Sequence, residues 1–327
     1  MTEEKYSFNR KLKLLSFTLM ILGLMGLSFG FITAPKNIQE TREIMSHHDH
    51  GEHHSDNSKV KKENIDINSL SIMYKSKKED GEHGTSHDEH VFHQLSNKPW
   101  AALYVAAFFF FMISLGTLAF YAINRAAQVG WSPILFRVME GITAYMLPGG
   151  LIVIFILFLS GLHLNHLFIW MDPEVVSHDK IIAAKKGYLN VPFVLARGLF
   201  FLAGWSLYRY FSRKFSLAQD LAKDNKYHKK NFRISAAFLV FYIVTESIMS
   251  WDWIMSIDPH WFSTLFGWYV FASMFVSGIS TIALVTIYLK SKGYLKEVND
   301  SHIHDLGKFM FGVSVFWTYL WFSQFML

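Results

Sequence analysis

The chain has 327 residues, of which 51% are apolar and 17% aromatic, with a formal charge of +5 and no cysteine. The lack of cysteine excludes disulfides and Cys-ligated zinc or iron–sulfur clusters within this chain. The basic residues lie between apolar runs and form no basic stripe with interleaved aromatic residues, so a nucleic-acid partner is not expected.

Seven apolar runs are each long enough to cross a bilayer as a helix, which takes about 20 residues for a hydrocarbon core of roughly 30 Å. In chain order, they are residues 14–33, 100–123, 141–164, 191–211, 234–256, 262–289 and 306–327. The sequence therefore predicts an all-α polytopic membrane protein with seven transmembrane helices.

The basic residues between the runs predict the orientation. Residues 1–13 and the loops after the second, fourth and sixth runs hold most of the Lys and Arg. The positive-inside rule therefore predicts a cytoplasmic N-terminus. Residues 34–98 then form a periplasmic loop, whose lysines do not oppose this, because loops longer than about 60 residues translocate largely regardless of charge.

That loop is rich in histidine, with one tract at residues 47–54 and a second at His83, His87, His90 and His93. Zinc or copper binding is chemically open to such tracts. A solvated linker is the favoured interpretation, because nothing in the loop predicts a packed core. We assign the loop no function and no metal.

Ionisable residues inside the apolar layer are costly and usually line a site, a proton path or a water cavity. Glu246 lies about 12 residues into the fifth run, or roughly 18 Å, and Arg197 about six residues into the fourth, or roughly 10 Å. These runs have opposite directions, so the two side chains are predicted at comparable depth. They are either a structural ion pair or parts of a functional site.

Further polar residues gather at the predicted outer ends of the third and fifth runs: His163, His166, Asp172, Asp252, Asp258 and His260. His163 and His166 are three apart and are predicted to share a helix face. Each Asp-Pro pair is predicted to end a helix, since proline disfavours helical geometry in the preceding residue. A role as a helix cap at the membrane interface would account for any one of these polar residues. Together with Glu246 and Arg197, they predict a proton path or a quinone-headgroup site.

Several motifs resemble the F subunit of bacterial alternative complex III, a quinol:cytochrome c (or quinol:oxidase) oxidoreductase, and the NrfD/PsrC-like membrane proteins. They are NKPW at 97–100, AAQVGWSP at 126–133, LHLNH at 162–166, WMDPE at 170–174, MSWDWIMSIDPHW at 249–261 and SHIHDL at 301–306. The resemblance covers nearly all of the chain outside the His-rich loop.

This resemblance implies a subunit of the bacterial inner membrane that contributes a proton path, a quinone-facing site or both. It implies no redox centre in this chain, with quinol as a candidate ligand and with haem c and iron–sulfur clusters in partner subunits. The implied partners are a homologous NrfD-like C subunit, periplasmic multihaem cytochrome c and iron–sulfur subunits, a terminal oxidase in some complexes, and lipid. Residues 99–256 would form a first four-helix bundle and residues 257–327 the start of a truncated second one.

Two other functions stay open at this point. A secondary transporter or ion-conducting protein would also hold buried charges near the midplane. A structural scaffold would need none of the buried charge. Since the apolar spans other than the third contain no histidine, a b-type haem within the chain is not expected.

Overall fold

The structure, a computed structural model, describes residues 9–49 and 83–326. Within these residues the chain is helical and contains no strand. The α-helices are α1 (Arg10–Thr33), α2 (Ile38–Asp49), α3 (His83–Ala126), α4 (Phe136–Ile142), α5 (Met146–Gly161), α6 (Pro173–His178), α7 (Lys180–Lys185), α8 (Val191–Leu221), α9 (Lys226–Trp253), α10 (Phe266–Ser291) and α11 (Asp300–Met326). Short 3₁₀ turns lie at Pro133–Leu135, Thr143–Tyr145, Ile169–Met171 and Met255–Ile257.

Six helical segments of the described chain are long and apolar enough to cross a membrane. They are Arg10–Thr33, Val91–Ala126, Pro133–Gly161, Val191–Leu221, Lys226–Ile257 and Phe266–Ser291. The chain is therefore an α-helical protein of the multi-pass membrane type. The seventh predicted run forms α11, whose Trp, Tyr, Ser and Gln residues make it less apolar than the six, and its crossing remains a prediction.

Several helices extend beyond the apolar runs that predicted them. Helix α3 begins at His83 rather than at residue 100, and α9 begins at Lys226 rather than at residue 234. Hydropathy marks only the part of a helix that suits lipid, so polar turns at its ends go undetected. Residues 50–82 of the predicted His-rich loop lie outside the described residues.

Among the described residues up to residue 102, α1, α2 and the first part of α3 form one compact unit. Phe31 on α1 packs edge-on against Trp100, with ring centroids 5.0 Å apart. Gly30 lies beside Pro99, where an added Cβ would be 3.4 Å from the proline ring. Small and aromatic residues thus form the contact between these two helices.

The remainder of the described chain forms a second unit, in which α8 packs against both α5 and α9, and α10 against both α9 and α11. Helices α3 and α10 approach closely at Gly116, where a Cβ would lie only 2.2 Å from the carbonyl oxygen of Met274. A small residue such as Gly116 at a helix crossing is typical of membrane helix packing. An aromatic cluster of Phe111, Trp205 and Trp253 fills the centre of this unit, with ring centroids 5.8–6.4 Å apart.

Helix α11 is attached to its neighbour through polar side chains. Trp317 Nε1 donates a hydrogen bond to the hydroxyl of Ser273 on α10 at 2.7 Å. Gln324 Nε2 donates to the hydroxyl of Ser263, just before α10, at 2.8 Å. The polar residues that lower the hydropathy of α11 therefore have partners on α10 and its leading turn.

Candidate functional site

Arg197 on α8 and Asp252 on α9 form a buried ion pair. Arg197 Nε donates to Asp252 Oδ2 at 2.8 Å and Nη2 donates to Oδ1 at 2.9 Å, a bidentate geometry. The Arg197 side chain is 12% exposed and that of Asp252 is 0% exposed. The guanidinium also stacks on the rings of Tyr188 and Phe193, each 4.1 Å from the ring centroid. The pair neutralises two charges that would be costly alone in an apolar layer.

The sequence-based pairing of Arg197 with Glu246 is wrong. Contacts between α8 and α9 give the reason: Gly198 lies beside the Trp253 ring, and Trp205 Nε1 donates to the Thr245 hydroxyl, so Arg197 is level with the end of α9 rather than with Glu246. Asp252 is six residues, or about 9 Å, nearer that end than Glu246. The register of α8 against α9 therefore selects Asp252 as the partner.

Tyr188 lies in the turn before α8 and completes the surroundings of this ion pair. Burial and then the negative charge of Asp252 raise the pKa of Tyr188 well above its usual value. Its hydroxyl therefore keeps its proton at every physiological pH. Arg197 Nη1 is buried and has no acceptor among the described residues.

Glu246 is buried on α9 without a charged partner. The residue is 3% exposed, and its Oε1 has no hydrogen-bond partner in the described part of the chain. The neighbouring Thr245 hydroxyl is occupied, because it donates to the Phe241 carbonyl and accepts from Trp205 Nε1. One turn farther along the same face, Ser250 is fully buried. Glu246 is thus a carboxyl group with spare hydrogen-bonding capacity inside a membrane-type helix.

His163 and His166 do not share a helix face, contrary to the sequence prediction. Helix α5 ends at Gly161, and His163 adopts the left-handed conformation with φ of 59°. The Asn165 side chain accepts hydrogen bonds from the Ser160 hydroxyl and from the Leu167 amide, which turns the chain away from the helix axis. The spacing of three between these histidines therefore does not place them on one face of a helix.

Of the two Asp-Pro pairs, the one at Asp258 ends a helical segment as predicted, whereas the one at Asp172 begins a helix. Asp172 starts a helix, since it is the N-cap of α6 and accepts from the Glu174 amide at 2.9 Å, with Pro173 in the first turn. Asp258 follows the 3₁₀ turn after α9 and accepts from the His260 amide at 3.2 Å. Both carboxylates are engaged in local turns.

His260 ties the loop after α9 to α7. Its Nε2 lies 2.5 Å from Oδ2 of Asp179, and its Nδ1 lies 3.8 Å from Asp258. Asp179 is the N-cap of α7; the amide of Ile182, and next the His260 side chain, hold the pKa of Asp179 below its usual range. Sequence analysis missed Asp179, although an aspartate directly before a short polar helix is a capping signal.

A cavity of about 450 Å³ lies beside these loops, bounded by the turn Ile169–Met171, by α6 and α7, and by the start of α8. Its lining is mostly apolar and includes Trp170, Ile182 and Lys186. Trp170 is 3% exposed, and its Nε1 has no acceptor among the described residues. The volume and the mostly apolar lining suit a small ring compound.

A second buried carboxyl group, Glu140, lies at the opposite end of α8. It is 4% exposed and accepts from the Tyr121 hydroxyl at 3.1 Å and from Arg137 Nη1 at 2.7 Å. The Tyr121 hydroxyl in turn accepts from Arg125 and from Ser212. Sequence analysis counted the arginines only as topological charges and missed Glu140. The signal that could have found it is a glutamate directly before an apolar run, three residues after an arginine.

Among the candidates from sequence, the structure therefore joins Arg197 to Asp252, and His260 to Asp258. In the described chain, no hydrogen bond or ion pair connects Glu246, His163 or Asp172 to these groups. No three metal-ligating side chains converge within the described residues, and the absence of a resident cofactor remains a prediction. A scan against protein-family models finds no match to this chain, and a search of curated proteins finds no relative.

Proposed function

We propose that the chain is an integral membrane subunit of a bacterial quinol:cytochrome c or quinol:oxidase oxidoreductase, of the alternative complex III F-subunit type. It would lie in the inner membrane with its N-terminus in the cytoplasm and cross it seven times, α11 being the seventh helix. The Trp-Asp-Trp motif at residues 251–253 and the six apolar helices support this proposal. Redox centres would belong to partner subunits.

The proposal includes a division of these helices into two bundles. Helices α3, α5, α8 and α9 would make the first four-helix bundle, consistent with the contacts of α8 with α5 and α9. Helices α10 and α11, which pack on each other, would begin the second bundle, with α10 also in contact with α9.

Glu246 is the observation that carries the proposed proton path. Asp252 already neutralises Arg197, so no cation in the described residues is paired with Glu246. An ionised carboxylate without a partner is costly in an apolar layer, and a carboxylic acid that gains and loses its proton avoids a permanent charge there. Glu246 would therefore carry protons, with the hydroxyl groups of Ser247 and of the buried Ser250 as polar groups toward the end of α9.

The cavity beside Trp170 supports a quinone-facing site as a second contribution. It lies at the end of α8 and α9 that the charge bias assigns to the periplasmic side. Its size and apolar lining fit a quinone ring. Proton release to the same side would follow oxidation of a quinol there.

The test is Glu246→Gln in the intact complex, because glutamine keeps the shape and hydrogen-bonding capacity of glutamate but carries no exchangeable acid proton. We expect normal assembly with slower quinol oxidation or fewer protons moved per electron. Glu297→Gln, the same change at an exposed position, is the matched control. Normal turnover and coupling in the Glu246 variant would leave the subunit as a scaffold. If the chain purifies in mild detergent without any cytochrome or iron–sulfur subunit, a transporter would be favoured instead.

A further inference from the structure

Two arginines on α8 face the groove that this helix forms with α4 and the turn Thr143–Tyr145. Arg209 and Arg213 are four residues apart, so they lie on one face of the helix. Arg209 Nε donates to the Thr143 hydroxyl at 3.1 Å, and this is its one hydrogen bond within the described chain. Arg213 lies 3.6 Å from Oε2 of Glu140 and is 44% exposed. Most N–H groups of both guanidinium groups are therefore left for another acceptor.

The charges around this groove do not balance. Arg137 is already bonded to both Glu140 and Asp220. Arg125 has no carboxylate and is satisfied by hydroxyl groups and by stacking on the Phe136 ring at 4.0 Å. The groove thus contains four arginines but only two acidic residues, Glu140 and Asp220, among the described residues.

Glu140 is the one carboxylate within ion-pair distance of Arg209 or Arg213 in the part of the chain that the structure describes. Like charges four residues apart on a helix repel each other. An anion that bridges the two guanidinium groups would remove this repulsion.

The surroundings identify the kind of anion. A narrow cavity lined by Tyr121, Glu140, Thr143 and both arginines opens at the groove, and Arg137 already neutralises this Glu140. Leu147 on α5, one turn after Thr143, and Tyr210, next to Arg209, are 44% and 59% exposed. Guanidinium groups bind phosphate oxygens in a bidentate manner, and basic pockets between transmembrane helices bind lipid headgroups. We propose that Arg209 and Arg213 bind the phosphate group of an anionic phospholipid whose acyl chains lie against Leu147 and Tyr210.

The experiment uses the full chain in neutral detergent and measures retained phospholipid by native mass spectrometry after addition of phosphatidylglycerol or phosphatidylcholine. We expect selective retention of phosphatidylglycerol, and at least about tenfold weaker retention after Arg209→Gln with Arg213→Gln, because each guanidinium supplies a charge-assisted hydrogen bond. Lys223→Gln with Lys229→Gln removes the same charge from exposed positions near this end and should change retention little.

The single variant Arg213→Gln alters only the more exposed arginine, so it keeps the test valid if the double variant does not fold. An equal loss in the lysine control would mean that diffuse charge attracts the lipid and would overturn the assignment. If inorganic phosphate stabilises the chain against heat in lipid-free detergent and phosphatidylglycerol is not preferred, the ligand of the two arginines would be a free anion rather than a lipid. This inference is independent of the proposed respiratory function, because neither Glu246 nor quinol turnover enters the measurement.

Discussion

Replacing Asp252 with asparagine should strongly destabilise the protein. Asparagine keeps the size of the side chain but removes the negative charge, so Arg197 stays positive and almost fully buried, with the Tyr188 carbonyl as a remaining acceptor. Breaking a buried ion pair by removing one partner costs about 3–5 kcal/mol. Because Arg197 and Asp252 are only 12% and 0% exposed, water cannot screen this cost appreciably.

That free energy corresponds to a change in the folding equilibrium of about a hundred-fold to a few thousand-fold. The assay is thermal unfolding of the purified chain in mild detergent, followed by tryptophan fluorescence. Asp258→Asn is the control, since Asp258 belongs to the same end of the protein but its side chain is 69% exposed. We expect that control to behave like the unmodified chain within about 0.5 kcal/mol.

A double substitution separates charge from packing. Removing both partners, as Arg197→Met with Asp252→Leu, leaves no unpaired buried charge and should recover most of the lost stability. Wild-type stability of Asp252→Asn would refute the reasoning. So would a double variant as unstable as the single one, because the loss would then come from packing or from hydrogen bonds rather than from an uncompensated charge.

Three further predictions follow from the contacts between helices and loops. Gly116→Ala should lower the free energy of unfolding by about 1–3 kcal/mol, because the added Cβ would meet the backbone of Met274. The control Gly141→Ala, with nothing within 4 Å of its Cβ, should leave thermal unfolding nearly unchanged. Equal effects of the two substitutions would contradict the close crossing of α3 and α10. Because its folded-state pKa is lowered, the Asp179 carboxylate stabilises its loop contacts at pH values above its ordinary pKa of 3.8, and this contribution is lost as pH falls through the folded-state pKa. Protection of the amides around His260 from hydrogen exchange, relative to their intrinsic rates, should therefore fall below about pH 4, whereas in Asp179→Asn this protection should not change with pH there. Cysteines introduced into the His-rich loop should react with an impermeant reagent from outside the cell, and those in the connector between α8 and α9 should be protected; the opposite pattern would reverse the topology.

The apolar runs alone predict the membrane helices well, because lipid requires long uninterrupted apolar segments whatever the tertiary packing is. Their ends are less predictable. The polar first turns of α3 and α9 lie beyond the apolar layer, where helical and irregular backbone have similar composition. The end of α5 at Gly161 depends on hydrogen bonds from Asn165 that no periodicity indicates.

The polar site is only partly predictable from sequence. Their position inside apolar runs singled out Arg197 and Glu246, whereas Asp252 was predicted only as one of several polar residues at the outer end of its run. Counting residues from the ends of apolar runs does not give the register of α8 against α9, and this register was needed to pair Arg197 with Asp252. Glu140 was missed because its position directly before an apolar run resembles an interfacial residue, whereas its burial comes from Tyr121 on a distant helix.

The hydrogen bonds between α10 and α11 bear on how this chain enters the membrane during synthesis. On leaving the ribosome, α11 carries indole and amide groups that lipid alone would leave unsatisfied. Ser273 and Ser263 provide acceptors for Trp317 and Gln324 as soon as α10 is beside it. We therefore expect the hairpin of α10 and α11, rather than α11 alone, to be the unit that partitions into the bilayer.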